Sequence, residues 1–454
     1  MTSPDRPLAK APARPKSRGF GYDRLVNAVF AVFVFCGCIS FFQPSPYDFM
    51  FLVVAPMWFV GGFRVSRSSA PILLMWIIYN IAGFIALIPY WTYEKGRLFE
   101  FQSLYLVLTV FFFTIFFSER SERRLTLCLN AYAASAVFAS IVGILGYLNV
   151  AGLAKHTEMD AGRLSGTFKD ANVLGSYLIL AAVYLVQGII LGTSRRLIAS
   201  ILGCGLIFVT IFLTFSRGSW AATVVALLLL AAMSFVTAGS ARERRRVALI
   251  SIAVFALAAL AVLLMLADPT ARKMLMERAA LLHSYDVGVT GRFGNQLRSI
   301  PMLLHMPLGF GPLRFHLIFG LDPHSSYINA FASYGWLGGF AWIIIVAMTV
   351  WVGFRLCFSP SPVRRLAQVY WPASFVLLLQ GFQIDIDHWR QLFLCLGAVW
   401  GMEAARLKWR QEQRTRGACA NVSRSVKEVE GAPRRLSPPP GRSGSLAPSP
   451  DGAR

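Results

Sequence analysis

Charge is scarce in this chain, and negative charge scarcer still: 22 Asp and Glu stand against 44 Lys and Arg in 454 residues, and charged residues make up only 15%. With 56% hydrophobic residues and a mean hydropathy of +0.56, that scarcity excludes an ordinary soluble domain. No small-residue cleavage site follows the first apolar run, so the basic segment before it reads as a retained cytoplasmic flank and not as a signal peptide. Cysteine is sparse too. Cys36, Cys38, Cys128, Cys204, Cys357, Cys395 and Cys419 all fall outside the segments assigned below to the oxidising side of a membrane, so no disulfide framework is implied. Cys36 and Cys38 share an apolar run with no histidine nearby, which points to helix packing, and no structural metal and no cofactor are expected. The apolar runs hold almost no ionisable residue near their centres, where ion-coupled transporters normally place such groups, so a pump is disfavoured.

What the chain has in quantity is apolar runs long enough to cross a hydrocarbon core of about 30 Å. Twelve occur, at roughly 25–42, 48–63, 71–91, 101–117, 127–148, 173–192, 197–215, 219–237, 247–267, 326–352, 366–382 and 391–405. The fold class is therefore an all-α polytopic membrane protein with about twelve transmembrane helices. Residues 1–24 form a basic cytoplasmic arm, 25–405 the transmembrane domain, and 406–454 a disordered basic, Pro/Ser-rich cytoplasmic tail that includes Pro438, Pro439 and Pro440.

Alternate connections carry the Lys and Arg excess that cytoplasmic loops require. These are the N-terminal arm, Arg64 with Arg67, Arg120 with Arg123 and Arg124, Arg195 with Arg196, the group Arg242 to Arg246, and Arg355 with Arg364 and Arg365. One missing or extra helix would invert every later loop, so a pattern that holds to the end supports an even count with both termini in the cytoplasm. A net charge of +22 distributed this way reads as topology, and no nucleic-acid partner is expected.

Two outer connections are long, 149–172 and 268–325, far beyond the usual loop of about 4–6 residues. Met274, Leu275, Met276, Ala279, Leu281 and Leu282 have helical spacing, which predicts an amphipathic helix lying on the membrane. All six histidines, His156, His283, His305, His316, His324 and His388, fall on this outer side. Three outer arginines oppose the topology rule: Arg163 in Gly162-Arg163-Leu164-Ser165-Gly166-Thr167-Phe168, Arg217 in Ser216-Arg217-Gly218, and Arg292 in Gly291-Arg292-Phe293-Gly294. A guanidinium offers a planar fork of donors that matches phosphate oxygens, and flanking glycines let a bulky headgroup approach the backbone. The competing reading is interfacial anchoring, or pairing with Asp160, Asp170 or Asp286.

This arrangement resembles the O-antigen ligase and Wzy-type polymerase superfamily of membrane glycosyltransferases. Arg163, Gly166, Phe168 and Asn172 resemble the family's block before a helix, and Thr214-Phe215-Ser216-Arg217-Gly218 its serine-arginine-glycine helix end. Pro307-Leu308-Gly309-Phe310-Gly311 resembles its proline and glycine turn, and His324, Tyr327, Gly335 and Gly338 its histidine-led block. Ser325 stands where asparagine commonly follows the histidine, Ser333 where a glutamate is found, and Ala171 where proline is usual. The resemblance spans roughly residues 160–345. It implies a GT-C-like plan in the bacterial inner membrane, with the active site periplasmic and a large periplasmic loop carrying short amphipathic helices. It further implies metal-independent transfer of a glycan from undecaprenyl diphosphate to a glycan or lipid acceptor, with membrane lipids as surroundings.

In that scheme His324 takes the proton from the attacking hydroxyl, Arg217 and Arg292 bind the diphosphate and stabilise the leaving group, and Arg163 and Asn172 add substrate contacts. Asp385, Asp387, His388, Trp389 and Arg390 crowd the last outer loop. Structural capping, sugar or diphosphate binding, orientation of the base, and metal binding all suit such a group. Ligase and Wzy-type polymerase both fit, and a non-enzymatic solute transporter is the reading from another class.

Overall fold

The computed structural model describes residues 20–60, 65–160, 162–194, 196–267, 272–273 and 288–431. Most of the N-terminal arm and the amphipathic stretch 274–282, together with His283 and Asp286, lie outside the described residues. The helices in chain order are α1 (Phe20–Cys36), α2 (Pro46–Val60), α3 (Ala70–Leu87), α4 (Glu94–Ser118), α5 (Ser121–Tyr147), α6 (Ala171–Leu191), α7 (Leu197–Leu213), α8 (Arg217–Val236) and α9 (Ala241–Leu266). They continue with α10 (Arg292–Leu304), α11 (Phe315–Phe319), α12 (Ser326–Phe358), α13 (Arg364–Gln380) and α14 (Arg390–Gly431). The 149–172 connection folds into a 3-10 segment and a two-stranded antiparallel hairpin, β1 (Glu158–Asp160) with β2 (Arg163–Gly166), in the register Asp160 opposite Arg163.

Each of the twelve apolar runs falls on one of these helices. Six helical stretches among the described residues are long and apolar enough to cross a membrane: Arg67–Tyr90, Glu94–Ser118, Ser121–Tyr147, Ala171–Leu191, Arg217–Val236 and Ser326–Phe358. Pro46–Val60 and Leu197–Leu213 are apolar but shorter. Leucine, isoleucine, valine and phenylalanine dominate all around these helices, so they bury one face and leave another apolar and outward-facing. Leu52, Ile198, Leu202 and Leu228 are all more than half exposed, which suits lipid and not water. Inside, α6 packs against α7 and α8, α13 against α8, and α12 lies along α3. An aromatic core of Phe30, Phe33, Phe112, Phe113 and Phe116 joins α1 to α4, with ring centroids as close as 4.3 Å.

Several of the basic connections are tied to neighbouring helices, while Arg64 and Arg195 lie outside the described residues. Arg120 pairs with Asp23 at 2.6 Å and Arg365 with Glu243 at 2.9 Å, while Gln187 donates to Arg365 O at 2.7 Å and Arg246 to Ile189 O at 3.4 Å. The buried Arg406 grips Glu403 through two hydrogen bonds of 2.7 and 2.8 Å.

Met1–Leu407 form one compact unit and Lys408–Arg454 a second. Within the second, the described residues are helical to Gly431, so the last helix runs further than the expected boundary at 406. The cause is local: residues 407–431 contain no proline, and Pro433 comes only after the helix has ended.

Candidate active site

The polar segments between α5 and α6, α7 and α8, and around α10 meet one another in the structure. Arg163 opens β2, and its guanidinium is fixed by donating from Nε to Thr214 O at 2.9 Å and from Nη2 to Asn172 Oδ1 at 2.8 Å. Asn172 is itself placed by the start of α6, where the Asp170 carboxylate caps the helix by accepting the Asn172 N–H at 2.6 Å. Thr214 ends α7, Phe215 takes a left-handed φ of +46°, and Ser216 caps α8 by accepting the Ser219 N–H at 3.3 Å. That sharp turn makes Arg217 the first residue of α8.

Beneath the turn, Gln380 ties three helices together. Its Oε1 accepts from Ser176 Oγ of α6 at 2.7 Å and its Nε2 donates to Gly218 O of α8 at 3.0 Å, while its own backbone ends α13. Arg292 comes from the other side as the first residue of α10, and its Nη1 donates to Gln383 O at 3.3 Å. A cavity of about 150 Å³ opens among Arg163, Asn172, Arg217, Arg292, Gln380 and Gln383. No carboxylate lines it among the described residues. Two of its three arginines stand at helix N-termini, where unsatisfied N–H groups and the positive end of the helix dipole add to the guanidinium charge.

His324 is not among the residues that line this cavity, but its backbone is tied to two elements that do contribute to it. One turn after Arg292 on α10, Gln296 Nε2 donates to Pro323 O at 2.8 Å and His324 O at 3.4 Å. His324 has a left-handed φ of +47°, unusual for a non-glycine residue. Asp385 fixes that turn with both oxygens, accepting the His324 N–H at 3.1 Å and the Ser325 N–H at 3.0 Å. Burial pushes the Asp385 carboxyl well above the usual carboxylate range, Asp387 and Asp322 add to the rise, and the two backbone N–H bonds oppose it. The neighbouring backbone continues the zipper: Ser326 N donates to Gly381 O at 2.8 Å and Ile386 N to Ser326 Oγ at 2.6 Å.

The proline and glycine turn docks one helical step further along. Phe310 N and Gly311 N both donate to Ala332 O, at 2.7 and 3.1 Å, and Trp336 N donates to Pro307 O at 2.9 Å. This contact needs a break in α12 at Gly335, whose φ is +65°; a Cβ there would lie 2.3 Å from Pro307 O.

The remaining candidates divide from this group. Asp387 accepts from Asn329 Nδ2 at 2.8 Å and lies 3.5 Å from His388 Nδ1; His388 Nε2 is 3.2 Å from Ser103 Oγ, and Arg390 pairs with Asp48 at 2.8 Å. None of the three lines the cationic cavity, and His388 and Arg390 line a second, larger one. So one loop, read as a single cluster, serves two places. Gln296, Gln380 and Gln383 were not singled out by sequence reasoning, because a lone glutamine near a helix end carries no pattern of its own.

Fold and cleft together define an α-helical membrane protein with a cavity on which three arginines converge. Residues 202–343, from within α7 to the first half of α12, match the model of the O-antigen ligase family. The match supports an O-antigen ligase-like membrane enzyme of polysaccharide assembly and bears out the resemblance to the O-antigen ligase and Wzy-type superfamily. It contains Arg217, Arg292 and His324 and leaves out Arg163 and residues 385–390. No curated protein matches the chain.

Proposed function

We propose that the protein transfers a glycan from undecaprenyl diphosphate to an acceptor hydroxyl at the periplasmic face of the bacterial inner membrane. In this reading its twelve apolar helices span the bilayer, both termini are cytoplasmic, and the cationic cavity faces the periplasm. The observation that carries it is the meeting of Arg163, Arg217 and Arg292 in one cavity. Guanidinium groups facing one cavity offer planar forks of donors that match the oxygens of a diphosphate.

The chemistry follows from the placement. The acceptor hydroxyl gives its proton to the His324 imidazole as its oxygen bonds to the anomeric carbon, and the bond from that carbon to the phosphate oxygen breaks. Undecaprenyl diphosphate leaves with the electron pair, and Arg217 and Arg292 stabilise the charge that grows on it. Asp385 acts through the backbone, holding the turn that presents His324, and Arg163 with Asn172 closes the phosphate side.

The same geometry serves a ligase, whose acceptor is a lipid-borne glycan, and a polymerase, whose acceptor is a growing chain. Reconstitution with lipid-linked glycan tests both. Sugar appearing on a new acceptor marks a ligase, chain growth on the polyprenyl carrier marks a polymerase, and either product should disappear in His324→Ala. Normal surface glycan in a strain carrying only His324→Ala overturns the enzyme reading. Solute uptake into vesicles that is indifferent to Arg217→Ala and Arg292→Ala favours a carrier.

A further inference from the structure

The second cavity measures about 700 Å³ and lies between the α1–α2 connection, α4, residues 168–173 and the start of α14. That volume is within the range of about 300–1,000 Å³ common to small-molecule sites. It shares walls with the cationic cavity. Phe168 to Asp170 face the larger one while Arg163 and Asn172 face the smaller, and the last outer loop does the same with His388 to Gln391 on one side and Gln383 and Ile384 on the other.

Its electrostatics differ from those next door. Arg390 is neutralised by Asp48 at 2.8 Å and further held by Ser40 Oγ at 3.3 Å, with side-chain exposures of 16% and 20% for Arg390 and Asp48. A phosphate entering here would meet the Asp48 carboxylate as well as the guanidinium. The walls carry amides instead: Gln43, Gln102 and Gln391, with Gln102 Nε2 donating to Gln43 Oε1 at 3.3 Å. Three buried wall atoms, Gln391 Nε2, Tyr105 Oη and Asp48 Oδ1, have no hydrogen-bond partner among the described residues. Buried polar atoms are nearly always satisfied, so a donor and an acceptor left over at one cavity point to a ligand that both accepts and donates. Phe101, Tyr105, Phe168 and Trp389 add flat apolar faces to the same walls.

Amide donors, a paired carboxylate and aromatic faces without net charge suit one chemistry. Sugar hydroxyls donate and accept, and sugar C–H faces stack on rings. An isoprenoid tail would leave the amides unsatisfied. We infer that this cavity binds the neutral carbohydrate chain, next to the grip on the diphosphate, and that His388, Arg390 and Gln391 are its polar contacts. The inference rests on the proposed transfer reaction for the glycan's being a substrate, from either the donor or the acceptor.

The test uses the full-length protein in proteoliposomes and, as probe, the glycan released from its lipid carrier and bearing a photoreactive diazirine, with no phosphate. Labelled peptides should fall in residues 98–106 and 388–391. Labelling should be competed by unmodified glycan, drop about fivefold in Gln102→Ala and in Gln391→Leu, and survive in Arg292→Ala. Gln102 is exposed, so its variant remains informative if Gln391→Leu fails to fold. Labelling elsewhere, labelling indifferent to both glutamines, or competition by undecaprenyl phosphate but not by glycan overturns the inference. Varying the donor's sugar length and the acceptor's separately in transfer assays shows which of the two the Gln102→Ala penalty follows. Wild-type protein that labels here yet transfers nothing sinks the transfer reading and keeps the site; transfer with labelling elsewhere sinks the site alone.

Discussion

The two cavities lie on either side of the same two chain segments and treat arginine in opposite ways. In the smaller one Arg163, Arg217 and Arg292 meet at a single opening; in the larger one Arg390 is matched by Asp48 at 2.8 Å. An outer arginine in the sequence is therefore an ambiguous sign. The partner of Arg390 is supplied by the tertiary structure, from 342 residues away.

The sharpest way to break this contrast is at the proposed proton acceptor and the guanidinium groups. His324→Ala should lower the transfer rate by about 10²–10⁴-fold with the protein still folded in detergent, as loss of a general base does. Arg217→Ala and Arg292→Ala should each cost about 10²–10³-fold in kcat, with lysine restoring only part because a point charge lacks the bidentate fork. Arg390→Ala should instead lower the thermal midpoint, because it leaves the mostly buried Asp48 carboxylate without its ion partner. Equal kcat losses for Arg390→Ala and Arg292→Ala would erase the distinction between the cavities.

A smaller effect, about tenfold at neutral pH, is expected for Asp385→Asn, which keeps one acceptor for the His324 turn and loses the other. The pH dependence has a definite sign. Burial raises the folded-state pKa of Asp385 above its unfolded value of about 3.9, so the folded chain holds that proton more tightly. Its contribution to stability is fully present below the unfolded value and is lost as pH rises through the folded one. Activity moves the other way, because only the carboxylate accepts both N–H groups. Transfer should thus fall on acidification at a pH above the ordinary carboxylate range while the thermal midpoint holds or rises, and Asp385→Asn should flatten both curves. Gly335→Ala should give the smallest effect, a loss of about 1–3 kcal/mol in stability read by thermal unfolding, from the φ of +65° and the clash with Pro307 O.

Much of this architecture was legible before any coordinates. The apolar runs fall on helices because hydropathy alone drives them out of water, and the three cationic residues stood out because they oppose the charge bias of the loops. What could not be read was partnership. Asp385 and Asp387 are two residues apart, yet one grips the His324 backbone and the other accepts from Asn329; the loop turns between them, and no local pattern encodes that. Asp48 and the three glutamines of the larger cavity were equally silent, since each becomes meaningful only beside residues distant in sequence. The end of α14 was misplaced because basic, polar composition says little about helicity when proline is absent.

The most direct test is the affinity of detergent-solubilised protein for undecaprenyl diphosphate at low and high salt. Wild type and Arg390→Ala should bind alike and weaken as salt rises, whereas the double variant Arg217→Ala, Arg292→Ala should bind about 100-fold more weakly. A double variant that binds as tightly as wild type would contradict the central claim.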